Sequence, residues 1–439
     1  MQSLSDQVFG NELILSKILS YLSLKELAKS CFGVNTVWNS ICHKVIESRT
    51  QLDHFFELYR ISRHHMSSSQ SRNRETHLAE DKHLEFVNEC FDDIETKLKT
   101  HLRSQLNIWP QIVVTFFGNF CQHSRRPEKL MQYSNGFRRY LPPETQFLNI
   151  VSLAGVIGSV IHKRPAICQT TAGAGNTSAT ASTSAATEPS IEPIETQAHV
   201  GNCAGISLLI FPKYPNVEID IFDERNLIAL EKLNDRTDLK CLIVLATTYA
   251  DSESKNIREF KCINTLNEKY NNKLAIGGIV VDDINYYMNN VNTTRRKTRS
   301  FYGLAFSGVN VRACSLLLKT VTPEATEKKF REFRKNLNFD PNLKTCETIG
   351  FLFVCTGRGL NIDTYPTSNV EASIFRKVFP EVKLIGGFGQ GEYGQNYWPS
   401  LTTDKRTQLM RELQDDIAIE HEMWHFYTSV LVLVNLPKK

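Results

Sequence analysis

Two short segments near the carboxyl end hold residue types that do chemistry. In "AIEHEMWHFYTS", His421-Glu422-Met423-Trp424-His425 fits H-E-x-x-H. On a helix that spacing puts two imidazoles on one face for a tetrahedral zinc, with the glutamate as general base. In "GQGEYG", Gly389, Gly391 and Gly394 fit G-x-G-x-x-G, a pattern that cradles a dinucleotide pyrophosphate. The surroundings speak against both. A catalytic zinc needs a third ligand, yet the extended form of the motif would require Gly and His where Thr428 and Leu431 stand, and "FYTSVLVLVNLPKK" contains no His, Asp, Glu or Cys. That segment reads as the approach to a core strand, with Trp424 and Phe426 as apolar anchors. After the glycine motif a helix should hold the pyrophosphate at its amino end, whereas "QNYWPSLTTDK" has Pro399 and no apolar stripe. The glycines read as a tight turn that lets a strand reverse close to its neighbour. No catalytic residue, metal or cofactor is expected.

Two further glycine turns, "CTGRGL" and "LAGVIGS", also follow apolar strands. Such turns leave backbone N–H groups available, and several converging would line a ligand pocket. The candidate pocket residues are Cys355, Gly357, Arg358, Gly359, Gly389, Gly391 and Gly394. Cys355 reads first as a buried strand residue.

The elements that position these residues are legible from periodicity. "IVVTFF", "FLNIVSLAGVIG", "GISLLIF", "LKCLIVLATT", "LAIGGIVV", "FYGLAFSGVNV", "IGFLFVCTG", "VKLIGGF" and "SVLVLVNL" read as strands. Helical spacing runs through Leu84, Val87, Phe91, Ile94, Leu98, Leu102 and Leu106, and again over 324–337 and 370–379. The fold class is therefore α+β, with mixed sheets flanked by helices. Ahead of them, residues 6–49 spell three short helices, with Ser23 to Glu26 as a capping box, Gly33 as a break and Trp38 on the third. So small a unit buries too little to be robust alone, so a partner or the rest of the chain should supply packing. Residues 50–76 read as a linker. Residues 169–199, rich in Ala, Ser, Thr and Gly, read as a disordered loop. "TTRRKTRS" (293–300) reads as a solvated hairpin tip or a nuclear import signal.

A net charge of +4 over 439 residues gives no argument for nucleic acid or an acidic membrane. No apolar run reaches the length of a membrane span, and the amino terminus shows no secretory leader. The eleven cysteines form no C-x-x-C, which suits reduced thiols in the cytoplasm or nucleus.

Glu12, Ile14, Leu15, Ile18, Leu22, Leu24, Leu27, Cys31, Val34 and Trp38 follow in the order of an F-box, which residues 6–49 resemble. Asn11 departs from the usual proline, which should weaken the start of the first helix. "IGFLFVCTGRG", "NVEASIFRKVFPEVKLIGGFGQGEYG" and "HFYTSVLVLVNL" resemble a FIST carboxyl-terminal domain over 343–439. Residues 77–342 resemble a FIST amino-terminal domain in pattern only. The resemblance implies a non-catalytic substrate receptor of an SCF-type ubiquitin ligase. It implies Skp1 on Leu13, Ile14, Ile18, Leu22 and Leu27, with cullin-1 and a RING protein reached through Skp1. Degradation targets would sit on the FIST part. The alternative it implies is an intracellular small-molecule sensor.

Overall fold

A computed structural model of the chain describes residues 11–22, 26–27, 31, 34–49, 52–60, 89–90, 92–102, 106, 108–119, 140–162, 190–197, 203–223, 238–247, 263–287, 301–320, 322–358, 365, 367–412 and 423–438. Gly359, the pair His421–Glu422 and the basic cluster 293–300 lie outside the described residues, as does most of the expected second helix.

In chain order the strands begin with β1 (Asp53–Arg60), β2 (Pro110–Asn119), β3 (Gln146–Val151), β4 (Gly155–His162), β5 (Ser190–Gln197) and β6 (Cys203–Pro212). There follow β7 (Glu218–Asp223), β8 (Leu239–Thr247), β9 (Ala275–Val281), β10 (Asp283–Tyr287), β11 (Phe301–Ser307) and β12 (Arg312–Leu318). The last are β13 (Cys346–Cys355), β14 (Lys383–Gly389), β15 (Glu392–Gly394), β16 (Trp424–His425) and β17 (Ser429–Pro437). They build three sheets, ordered β1-β6-β2-β3-β10, β16-β15-β9-β8-β11-β7 and β12-β17-β13-β14-β4-β5.

One pattern recurs in all three. A parallel pair (β2 with β3, β8 with β9, β13 with β14) is flanked on both sides by antiparallel strands. The strand after each pair then leaves for another sheet. β4 follows β3 but pairs with β14, β10 follows β9 but pairs with β3, and β15 follows β14 but pairs with β9. The exchange is cyclic, so each sheet needs the other two.

Side-chain alternation shows why the sheets close on one another. Val114 and Phe116 of β2, Ile243 and Leu245 of β8, and Phe351 and Phe353 of β13 all enter one shared core. Rings meet there between sheets: Phe116 and Phe353 at 6.3 Å, Phe306 and Phe351 at 6.1 Å. The intervening residues face outward onto separate helical layers. Val113 and Phe117 pack with Ile94, Leu98 and Leu102, Leu242 and Val244 with Ile263 and Leu266, and Leu352 and Val354 with Phe330 and Phe375. Phe330 belongs to the helix Pro323–Lys335 and Phe375 to the helix Val370–Val378. Strands buried on both faces read as unbroken apolar runs.

Three sequence assignments change. The stretch taken as a linker, 50–76, contains β1, which pairs along its whole length with β6. The stretch taken as a disordered loop, 169–199, ends in β5, an edge strand on β4 that carries Pro193, the position in a sheet where proline is tolerated. The boundary drawn at 342/343 is no structural break, because β4 and β12 both lie in the sheet of β13, β14 and β17.

Candidate functional site

The amino-terminal helical unit is held by its own small core of Leu15, Leu19, Leu27, Cys31, Ile41, Cys42, Val45 and Ile46, with Leu22 and Trp38 packed against it. Asn11 strengthens the first helix, Glu12–Leu19, contrary to the sequence expectation. Its side chain accepts from the N–H groups of Leu13 at 3.0 Å and Ile14 at 3.2 Å, satisfying donors that a helix start leaves orphaned. Asn35 caps the helix Thr36–Ser48 in the same way, accepting from Trp38 N–H at 2.9 Å. Arg49 donates to the carbonyls of Leu22 and Ser20 just past the first helix.

This division of labour sorts the expected contact residues. Leu13 is 82 % exposed, Ile14 42 % and Ile18 41 %, and Tyr21 continues the Ile14–Ile18 stripe at 76 %. Steps of four and three residues place those side chains along one helical face. Val34 and Val37, beside the start of Thr36–Ser48, are also about half exposed. Leu22 is partly buried, and Leu27 is fully buried within the unit. Leu27 therefore supports the face from inside and does not form it.

The glycine turns are filled by the protein's own atoms. A Cβ at Gly389 would lie 2.2 Å from the Val280 carbonyl oxygen, one at Gly394 2.6 Å from Val430, and one at Gly357 2.6 Å from the Tyr427 ring. Gly391 has φ +154° and its missing Cβ leaves room for the Trp424 indole at 2.6 Å. G-x-G-x-x-G ends in strand β15 itself and opens no helix; the next helix among the described residues begins only at Thr403. Nor does it reverse a strand within one sheet: it carries the chain from β14 in one sheet to β15 in another.

His425 is likewise on a strand, β16, and its Nε2 donates to the Gly394 carbonyl at 2.9 Å. Trp424 anchors as expected, its ring 4.5 Å from Tyr393 in a T-shaped contact. Phe426 does not, being 57 % exposed. Among the described residues no group of His, Cys, Asp and Glu is arranged to hold a metal.

Arg358 seeks charge, but inside the fold. Fully buried, its Nε meets Glu371 Oε1 at 2.6 Å, and its Nη2 donates to Tyr365 Oη at 3.0 Å and to the Thr320 carbonyl. Tyr365 in turn donates to Glu371 at 3.0 Å, so one guanidinium ties three separate chain segments together. Cys355, at the end of β13, is buried beside Glu392. Burial, then the Glu392 charge, push its thiol up from the ordinary range, which keeps it protonated and a poor nucleophile. Glu392 is wholly buried, and burial raises its carboxyl to about 8, while Thr428 Oγ1 donates to its Oε2 at 2.9 Å. Sequence reasoning missed Glu392, because nothing in "GQGEYG" distinguishes a buried acid from a solvated one. Two cavities, about 690 Å³ beside Trp109 and about 260 Å³ beside Arg406, have none of the candidate pocket residues among their described lining.

Fold and site together define a class: a small helical unit with an open apolar face, followed by a three-sheet α+β body whose glycine turns are closed. The chain is similar to F-box only protein 22 of Homo sapiens, 28 % identical over 240 residues, covering 52 % of this chain and 55 % of that protein. It is similar to F-box only protein 22 of Pongo abelii as well, 27 % identical over 239 residues with the same coverage of 52 % and 55 %. It thus spans about half the length of the curated relatives it matches. No family model matches the chain.

Proposed function

We propose that this chain is a non-catalytic substrate receptor of an SCF-type ubiquitin ligase. In this reading the helical unit binds Skp1, and through it cullin-1 and a RING protein. The three-sheet body holds target proteins for ubiquitination and proteasomal degradation, in the cytoplasm and nucleus. The observation that carries it is the exposed row Leu13, Ile14, Ile18 and Tyr21 on a helix whose opposite face is already packed. An apolar helical face left in water is what a helix-in-groove partner completes. The similarity to F-box only protein 22 supports the same reading. Closure of the glycine turns by Val280, Trp424 and Tyr427 removes the space a sensor would need there.

Pull-down of purified Skp1 tests it. Anchors buried at an interface typically contribute ~2 kcal/mol or more each, so the pair Leu13→Asp and Ile18→Asp should abolish capture. Leu13 is almost wholly solvent-facing, so Leu13→Asp alone should leave the melting temperature in place, and circular dichroism of the double variant checks that the unit still folds. Equal capture by wild type and double variant, or none by wild type, rejects the proposal.

A further inference from the structure

The cavity of about 260 Å³ beside Arg406 is walled mainly by carboxamides. Asn267, 4 % exposed, and Gln395 form a reciprocal amide pair, at 3.0 Å from Asn267 Nδ2 to Gln395 Oε1 and 3.2 Å from Gln395 Nε2 to Asn267 Oδ1. Asn267 Nδ2 also donates to Asn272 Oδ1 at 3.0 Å, and Gln395 Nε2 to the Leu274 carbonyl at 2.9 Å. The wall is thus fixed before any ligand arrives. Asn271 and Asn272, at φ +55° and +57°, close the helical stretch 263–269 in the left-handed conformation and bring Asn272 back over it. Opposite stands Arg406 of the helix Thr403–Glu412, whose Nε is buried with no hydrogen-bond partner among the described residues. A buried guanidinium N–H left unmatched costs free energy that an anionic ligand would recover.

The chemistry narrows the ligand. Among the described lining residues there is no aromatic ring, and Met423 is the apolar wall, so a nucleobase or a sugar finds no stacking platform among them. Arg406 is the single cation among the described lining residues, and Glu268 sits exposed at the rim. One guanidinium fork matches one carboxylate, whereas a phosphate would bring about two charges against it. Carboxamides present a donor and an acceptor side by side, the complement of a peptide main chain. At ~30 Å³ per water-sized volume the space suits a ligand of roughly two amino-acid residues.

We propose that this cavity binds a carboxylate flanked by amides, namely the free carboxyl terminus of another polypeptide, with Arg406 on the carboxylate and Asn264 and Asn272 on the last peptide groups. As the seat of a degradation target it rests on the receptor reading above. The binding test needs neither Skp1 nor a ligase, so the two fail separately.

The probe is a fluorescein-labelled pool of degenerate octapeptides with free carboxyl termini, read by polarisation against the full chain. The same pool amidated at its termini, and unlabelled N-acetylglycine as a small carboxylate, complete the comparison. The expected result is binding of the free pool, at least ~tenfold weaker binding of the amidated pool, and a similar loss in Arg406→Gln. Asn264→Ala, a half-buried wall residue, should weaken binding while leaving the melting temperature unchanged. Equal binding of both pools, no binding of either, or full binding by Arg406→Gln overturns the proposal. Thermal stabilisation by N-acetylglycine with no peptide binding overturns the polypeptide source and assigns the cavity to a small carboxylate.

Discussion

Glu392 shows at the scale of one residue how burial sets chemistry. Its folded carboxyl, raised by burial to about 8, lies above the ordinary 4.5. The folded state therefore holds a proton that the unfolded chain releases, and stability present below pH ~4.5 is lost as pH rises toward ~8. His54 works in the other direction: burial first, then Lys383, lower it from 6.5 to about 4, so its contribution is present above pH ~6.5 and lost as pH falls toward ~4. Between those limits the two slopes oppose. Of these two groups only Glu392 has a slope above pH ~6.5, and Glu392→Gln, which keeps the shape without the charge, should flatten its part of the decline of stability from pH 6.5 to 8. At pH 8 the variant should be more stable by on the order of a few kcal/mol. Chemical denaturation at several pH values measures it, and parallel curves for wild type and variant would refute the assignment.

At the scale of the element, what the sequence disclosed depends on how a strand is buried. "LKCLIVLAT" and "SVLVLVNL" announce themselves as strands because both faces are covered. The same continuity conceals which face meets the shared core, so the assignment of strands to sheets was not readable. β1 ("DHFFELYR") and β5 ("SIEPIETQ") mix charged with apolar residues, as edge strands do, and were taken for linker and loop. Asn11 was read as a fault in the first helix when its side chain is the cap. The closure of the glycine turns could not be seen at all, because Val280, Trp424 and Tyr427 reach them only through tertiary structure. The handed-over strands carry a prediction. A fragment of residues 343–439 retains β13, β14 and β17 but loses β4 and β12 from that sheet and leaves β15 without β9. It should give a random-coil circular dichroism spectrum or aggregate; cooperative thermal unfolding of the isolated fragment would contradict the interlocked topology.

For the whole molecule, the contrast lies between a body that completes itself and an amino-terminal unit that does not. The body shares one core among three sheets and covers each outer face with helices. Among its described residues the helical unit buries eight side chains in its core and leaves Leu13, Ile14, Ile18 and Tyr21 in water. Docking of Skp1 on the helical unit and not on the body is the central claim, and amide hydrogen exchange of the full chain with and without Skp1 tests it most directly. Exchange should slow across residues 12–22 and 34–38 on adding Skp1, with the strands of all three sheets unchanged. Exchange that stays the same in those helices, or slows only in the sheets, would contradict it.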